Sequence, residues 1–170
     1  MQPHPDNESI PRYSQRPLPS YRHLPFQNPH PFLDEDGHSY GEELNPLEGF
    51  GSDNWQESTE YLYAIDLFNH GYWWEAHERL KPLSLGAGRE TETGRFVQGL
   101  IQLAAALLKL SQDDVPPARS LAELGIANLQ ASADIGLGIA VADLIAEVTA
   151  CLDDSQAPQP IIHLDGVEEH

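Results

Sequence analysis

The prolines of this 170-residue chain are unevenly distributed, and their placement limits where helices can form. Nine of the 14 prolines fall in residues 1–52, but only three fall between residues 53 and 152. Because proline lacks a backbone N–H and its ring clashes with the preceding helical turn, no helix or strand of useful length fits between the prolines of residues 1–52. The hydrophobic core is therefore predicted in the second, proline-poor region.

This distribution divides the chain into four predicted segments. Residues 1–16 are predicted as a flexible tail, 17–52 as an ordered arm rich in Pro and His, 53–152 as the helical domain and 153–170 as an acidic C-terminal tail. The arm is predicted to be ordered because it carries apolar side chains that a purely disordered tail rarely contains. These side chains are Tyr21, Leu24, Phe26, Phe32 and Leu33.

The charge of the chain excludes several classes of partner. With 27 acidic and nine basic side chains, the formal net charge is −18, and no basic stripe is present to bind nucleic acid or an anionic membrane surface. The single cysteine, Cys151, cannot form an internal disulfide, which fits a reducing compartment. The first residues contain no basic segment followed by an apolar stretch, so a cytoplasmic protein is expected.

From residue 53 the apolar residues recur with a helical period, which predicts an all-α bundle of about five helices in antiparallel hairpins. The predicted helices are 54–69, 72–81 before Pro82, 90–111, a fourth opened by Pro116 and Pro117, and 139–152. The third helix carries two apolar seams, and a helix that is apolar on most sides belongs in the middle of a bundle. The seams are Phe96, Leu100, Leu103, Leu107 and Leu110, and Val97, Ile101, Ala104 and Leu108.

Two motifs in the helical region carry a resemblance to a known family. Residues 68–78 read FNHGYWWEAHE and residues 98–104 read QGLIQLA. The pair resembles the helical domain-of-unknown-function family 309, whose pattern is F-N-x-G-x-[YF]-[WF]-E-A-H-E followed by Q-G-[LI]-I-Q-x-A. The resemblance covers about residues 17–152, and the chain departs from the family at 80–82, at Leu85 and at Ala140. It implies a helical fold but, since the family has no assigned role, no particular function.

The first two helices meet at a bend that resembles the bends of tetratricopeptide hairpins. Residues 68–76 form this bend, and residues 110–118 form a second bend of the same kind between the third and fourth helices. Two hairpins fall short of the three repeats that a solenoid needs, so we interpret the similarity as shared hairpin geometry.

The second helix carries the side chains with the greatest chemical interest. His77 shares its helix face with apolar neighbours, and a buried imidazole requires hydrogen-bond partners for both ring nitrogens. Gln98 and Gln102 are the expected partners, and Glu78 lies about 100° further round the helix. The predicted binding groove consists of Asn69, Trp74, Glu75, His77, Glu78, Gln98 and Gln102.

Two interpretations of these residues remain open. The favoured one is a structural hydrogen-bond network that lines a polar groove beneath the arm. The alternative is a divalent metal site in which His30, His38 and His77 are ligands and Glu78 is the general base of a metal-dependent hydrolase. The H-E-x-x-H arrangement of many zinc hydrolases is absent, because Lys81 stands where its second histidine would be.

The sequence therefore favours a binding or interaction module with a protein or small-molecule partner, and leaves open whether the chain is an enzyme. Neither nucleic acid nor membrane is an expected partner, and the acidic surface does not forbid a homodimer. Cys151 is expected to be a buried, unreactive thiol, because no histidine lies near it in the sequence.

Overall fold

Five α-helices follow one another along the chain in the computed structural model, which describes Met1 and residues 10–170. Each helix packs against the next, and the described residues contain no β-strand, only an isolated bridge between Ile139 and Leu164. The predicted all-α bundle is confirmed. The helices are α1 (Thr59–Asn69), α2 (Trp73–Ala87), α3 (Glu92–Ser111), α4 (Val115–Ala131) and α5 (Val141–Asp153).

The middle position of α3 follows from its apolar seams. This helix contacts both α2 and α4, and the members of its two seams are buried except for the half-buried Leu108. The helix begins after Thr91, whose hydroxyl accepts a hydrogen bond from the backbone N–H of Gly94. The sequence pattern thus predicted the central helix of the bundle.

The end of α2 differs from the prediction, because the helix continues through Pro82 to Ala87. A proline inside a helix removes one hydrogen bond and costs about 3 kcal/mol. Burial of Leu80 and Leu83 offsets this cost, and the Ser84 hydroxyl ties the last turn to α3 by donating to the carbonyl oxygen of Gly94. Tertiary packing therefore overrides the local stop signal.

The start of α1 also differs from the prediction. Residues Trp55–Glu57 form a short 3-10 helix, and α1 begins only after Ser58, whose hydroxyl accepts a hydrogen bond from the N–H of Tyr61. The helix therefore starts five residues later than the predicted residue 54, and Trp55 is buried in the short turn that precedes it.

Both predicted tails contain segments that pack on the bundle. Residues 2–9 lie outside the described part of the chain, but Tyr13 is buried and its hydroxyl accepts a hydrogen bond from the N–H of Leu164. Ile161 and Ile162 are buried as well. The prediction of tails at 10–16 and at 157–164 is thus corrected, because these few apolar side chains bury against the helices without any helical period.

The glycine of the second motif lets α3 and α4 approach closely. A Cβ atom on Gly99 would lie 2.9 Å from Cγ of Leu129 and 3.0 Å from the carbonyl oxygen of Gly125. We expect Gly99→Ala to lower the free energy of unfolding by about 1 to 3 kcal/mol, because two packed helices would have to separate. Urea denaturation measures this, with the exposed Glu123→Ala on α4 as the control. A Gly99→Ala variant as stable as the wild type would contradict the prediction.

Candidate functional site

The first motif lies at the α1–α2 bend, and its side chains contact different parts of the molecule. Asn69 is buried and holds the C-terminal segment: its amide nitrogen donates to the carbonyl oxygen of Ile162 at 2.8 Å, and its amide oxygen accepts from the N–H of Ile162 at 2.7 Å. Gln159 donates to the backbone oxygen of Asn69. Asn69, predicted as a groove residue, thus holds residues 159–162 on the bundle by hydrogen bonds.

The bend itself requires Gly71, whose φ of +80° lies in the left-handed region that favours glycine. The next residue, Tyr72, donates its hydroxyl to the carbonyl oxygen of Pro19 at 2.9 Å. The bend therefore reverses the chain and directs α2 beneath the arm.

Trp74 forms the centre of an aromatic cluster between α2 and the arm. The indole ring centre lies 4.5 Å from that of His23, 5.3 Å from that of His30 and 5.9 Å from that of Phe32. The His30 Nδ1 atom accepts hydrogen bonds from the backbone N–H groups of Phe32 and Leu33. This predicted metal ligand is thus engaged in the local structure of the arm.

Glu75 is a buried carboxyl, with 3% of its surface exposed, that contacts the arm backbone. Its Oε1 atom accepts a hydrogen bond from the N–H of His23 at 2.7 Å. Burial raises the pKa of Glu75 to about 7, although that hydrogen bond and the charge of Arg22 act in the opposite direction. The carboxyl is therefore largely neutral in mildly acidic solution.

Arg79 lies one helical turn after Glu75, but its closest ion-pair partner is in the arm. Arg79 is buried and donates from Nη2 to Oε2 of Glu42 at 2.8 Å. Arg16 donates to the same carboxylate at 3.0 Å. The hydrogen bond from Arg79 is the main reason why the pKa of Glu42 falls to about 2, so this carboxylate stays ionised.

His77 lies on another face of α2, at a cleft of about 400 Å³ between α2 and α3, and Glu78 contacts it from outside the lining of that cleft. His77 and Gln98 both line this cleft, and the Glu78 carboxylate accepts hydrogen bonds from His77 at 3.3 Å and from Lys81 at 2.7 Å. Burial raises the pKa of Glu78, but these two hydrogen bonds outweigh it and hold that pKa at about 2. A carboxylate with so low a pKa is a weak general base.

Gln102, the other glutamine of the second motif, does not contact His77. Its side-chain oxygen accepts a hydrogen bond from the amide of Asn128 at 2.7 Å, which joins α3 to α4. The side chains predicted to form one groove are therefore divided among the C-terminal segment, the arm, the α2–α3 cleft and the α3–α4 contact.

His38 lies in the arm beside Tyr21, with 4.7 Å between ring centres. Its Nδ1 atom is 2.9 Å from the Ser39 hydroxyl, its Nε2 atom is buried without a hydrogen-bond partner, and burial lowers its pKa. The structure does not bring His38 and His30 to His77. Within Met1 and residues 10–170, no group of three or more His, Cys, Asp or Glu side chains could hold a metal ion.

Two residues of α1 that the sequence analysis did not single out contact the N-terminal part of the chain. Asp66 is completely buried and accepts hydrogen bonds from the N–H groups of Tyr13 and Ser14, at 2.7 and 3.0 Å, and from the Ser14 hydroxyl at 2.7 Å. Tyr63 donates its hydroxyl to the carbonyl oxygen of Pro17 at 3.0 Å. A carboxylate within the otherwise apolar run of α1 is the signal that could have indicated this contact.

Comparison with known proteins agrees with the motif resemblance. Residues 61–121 match the model of a family described as a domain of unknown function (DUF309), so the resemblance seen in the two motifs is confirmed. The matched part spans α1 to the beginning of α4 and contains both motifs. A search of curated proteins finds no match to the chain. None of the helices that the structure describes is long and apolar enough to cross a membrane.

Proposed function

We propose that this helical protein is a peptide-binding module, and that the surface formed by Tyr63, Asp66, Tyr72, Trp74 and Glu75 holds an extended, proline-containing segment. In this chain the occupant is its own residues 13–23. We refer to the five side chains as the α1–α2 surface. A peptide-binding module is one form of the interaction module that the sequence favours.

The observation that carries the proposal is that the α1–α2 surface binds the main chain of its occupant. Tyr63 and Tyr72 donate to the carbonyl oxygens of Pro17 and Pro19. At the two ends of the segment, Asp66 and Glu75 accept from backbone N–H groups. Main-chain hydrogen bonds of this kind are a general mode of peptide recognition, because any segment of suitable shape can supply them.

The prolines of the bound segment lower the conformational entropy that is lost when it binds the α1–α2 surface. Pro17 and Pro19 have a fixed φ, and the residues that precede them are restricted to extended conformations. The segment therefore loses less conformational entropy when it binds than a segment without prolines would. Arginines stack on the two tyrosines, with the Arg16 guanidinium 4.5 Å from the Tyr63 ring centre and that of Arg22 5.3 Å from the Tyr72 ring centre. The expected ligand is a proline-containing segment flanked by basic side chains.

A peptide added in solution must compete with the tethered segment, so the test uses a full-length variant in which the segment is weakened. His23→Pro removes the N–H that donates to Glu75 and the imidazole that packs on Trp74, and it retains all five side chains of the α1–α2 surface. We expect a fluorescent peptide of residues 10–32 to bind the His23→Pro variant, and to bind the wild type more weakly. Fluorescence anisotropy measures both affinities.

The matched control adds Tyr63→Phe and Tyr72→Phe to the His23→Pro variant. These changes keep the rings and remove the two hydroxyl donors, so the peptide affinity should fall about tenfold or more. Circular dichroism verifies that all variants retain the helical content of the wild type. A folded His23→Pro variant that does not bind the peptide, or that binds it equally well without the two hydroxyls, would overturn the proposal.

A further inference from the structure

We infer that the cleft between α2 and α3 is a binding site for a small organic anion, a carboxylate or phosphate monoester attached to an apolar body. The cleft uses none of the side chains of the α1–α2 surface, so this inference does not depend on the peptide-binding proposal. Its lining residues are His77, Lys81, Ser84, Leu85, Arg89, Gln98 and Ile101.

The polar wall of the cleft offers groups that nothing else in the described structure engages. The Arg89 guanidinium and the Gln98 amide have no hydrogen-bond partner within Met1 and residues 10–170. His77 contacts Glu78 through Nδ1 only, which leaves its Nε2 atom for a ligand. Arginine suits carboxylate and phosphate oxygens because its planar fork donates two parallel hydrogen bonds.

The charge of the cleft differs from that of the whole chain. Two of the nine Lys and Arg residues line it, and no acidic side chain is among its lining residues. Lys81 forms an ion pair with Glu78, whereas Arg89 forms no ion pair within the described residues. Because charges are screened beyond roughly 8 Å at physiological ionic strength, the net charge of −18 does not prevent an anion from binding beside Arg89.

The remaining walls fit an apolar body. Leu85 is 45% exposed and presents its apolar side chain at the cleft, and the buried Ile101 lies on the α3 side. The volume of about 400 Å³ lies within the range of small-molecule sites. The two motifs meet here as well, since His77 belongs to the first and Gln98 to the second. A donor-rich wall beside an apolar one therefore defines the ligand class.

The test is an NMR titration of the full-length ¹⁵N-labelled protein with octanoate and with phenyl phosphate. We expect saturable shifts of the side-chain signals of His77 and Gln98 with at least one probe. The probe that binds more tightly identifies a carboxylate or a phosphate monoester as the preferred anionic group. The affinity for the neutral analogues octanamide and phenol should be lower by a factor of about ten or more, because these compounds lack the charge that pairs with Arg89.

Two arginine variants show whether binding occurs at the cleft. Arg89→Gln should weaken the affinity for the anionic probe about tenfold, whereas Arg95→Gln, an exposed arginine of α3 that does not line the cleft, should leave it unchanged. Lys81→Gln provides a second variant within the site. The inference is overturned if neither anion produces saturable shifts at about 10 mM, or if Arg89→Gln and Arg95→Gln have the same effect.

Discussion

Replacement of Asp66 by alanine is expected to lower the free energy of unfolding by about 3 to 5 kcal/mol, the typical loss when one partner of a buried charged network is removed. The carboxylate is fully buried, accepts three hydrogen bonds from Tyr13 and Ser14, and lies 3.0 Å from Nε of Arg12. Without it the buried N–H of Tyr13 has no acceptor, which alone costs about 1 to 3 kcal/mol.

Urea denaturation followed by circular dichroism measures the Asp66→Ala effect, and Asp143→Ala on the exposed side of α5 is the control. Hydrogen exchange should also show faster exchange of the Tyr13 and Ser14 amides in the variant. A loss below about 1 kcal/mol would mean that residues 10–16 contribute little to stability, contrary to the buried contacts of Tyr13.

Glu75 is expected to make the stability of the protein fall as the pH rises from about 4.5 to about 7. Burial raises the pKa of this carboxyl from 4.5 to about 7, so in this interval the folded protein retains a proton that the unfolded chain has released. The stability contribution of the protonated carboxyl is complete below pH 4.5 and is lost as the pH passes 7, which amounts to about 3 kcal/mol.

The difference between Glu75→Gln and wild type isolates this effect. Between pH 4.5 and pH 8, the difference in the free energy of unfolding between Glu75→Gln and wild type should change by about 3 kcal/mol in favour of the variant. The reason is that glutamine does not ionise. Other titrating groups, among them Glu42 with its pKa lowered to about 2 and His38 with a lowered pKa, contribute to both proteins and cancel.

The exposed Glu90→Gln serves as the control for Glu75→Gln and should show no pH-dependent gain. A difference between Glu75→Gln and wild type that does not change with pH would show that the carboxyl is ionised without cost.

The architecture of the helical region was largely predictable because helical periodicity is a local property. The seams of α3 place it in the middle of the bundle, and the structure agrees. The exceptions arise where packing competes with local preference: α2 passes through Pro82 because Leu80 and Leu83 are buried, and α1 starts only after the short turn in which Trp55 is buried.

The candidate site was predictable only in part. The motifs indicated that Trp74, Glu75 and His77 belong to the candidate site. Neighbouring positions on one helix, however, point in different directions. Glu75 contacts His23, 52 residues away, and Asn69 contacts Ile162, 93 residues away. Such contacts leave no periodic trace in the irregular segments that make them.

The sequence by itself determined the all-α class, the central helix and the importance of the α1–α2 bend, because these depend on apolar spacing and on motifs within single helices. Only the tertiary structure decided that residues 13–23 lie on the α1–α2 surface, while His77 faces a separate cleft away from His30 and His38. The physical reason is that buried Asp66, Asn69 and Glu75 satisfy their polar atoms on the backbones of distant irregular segments. Those hydrogen bonds, rather than any local preference, fix the path of the segments over the bundle.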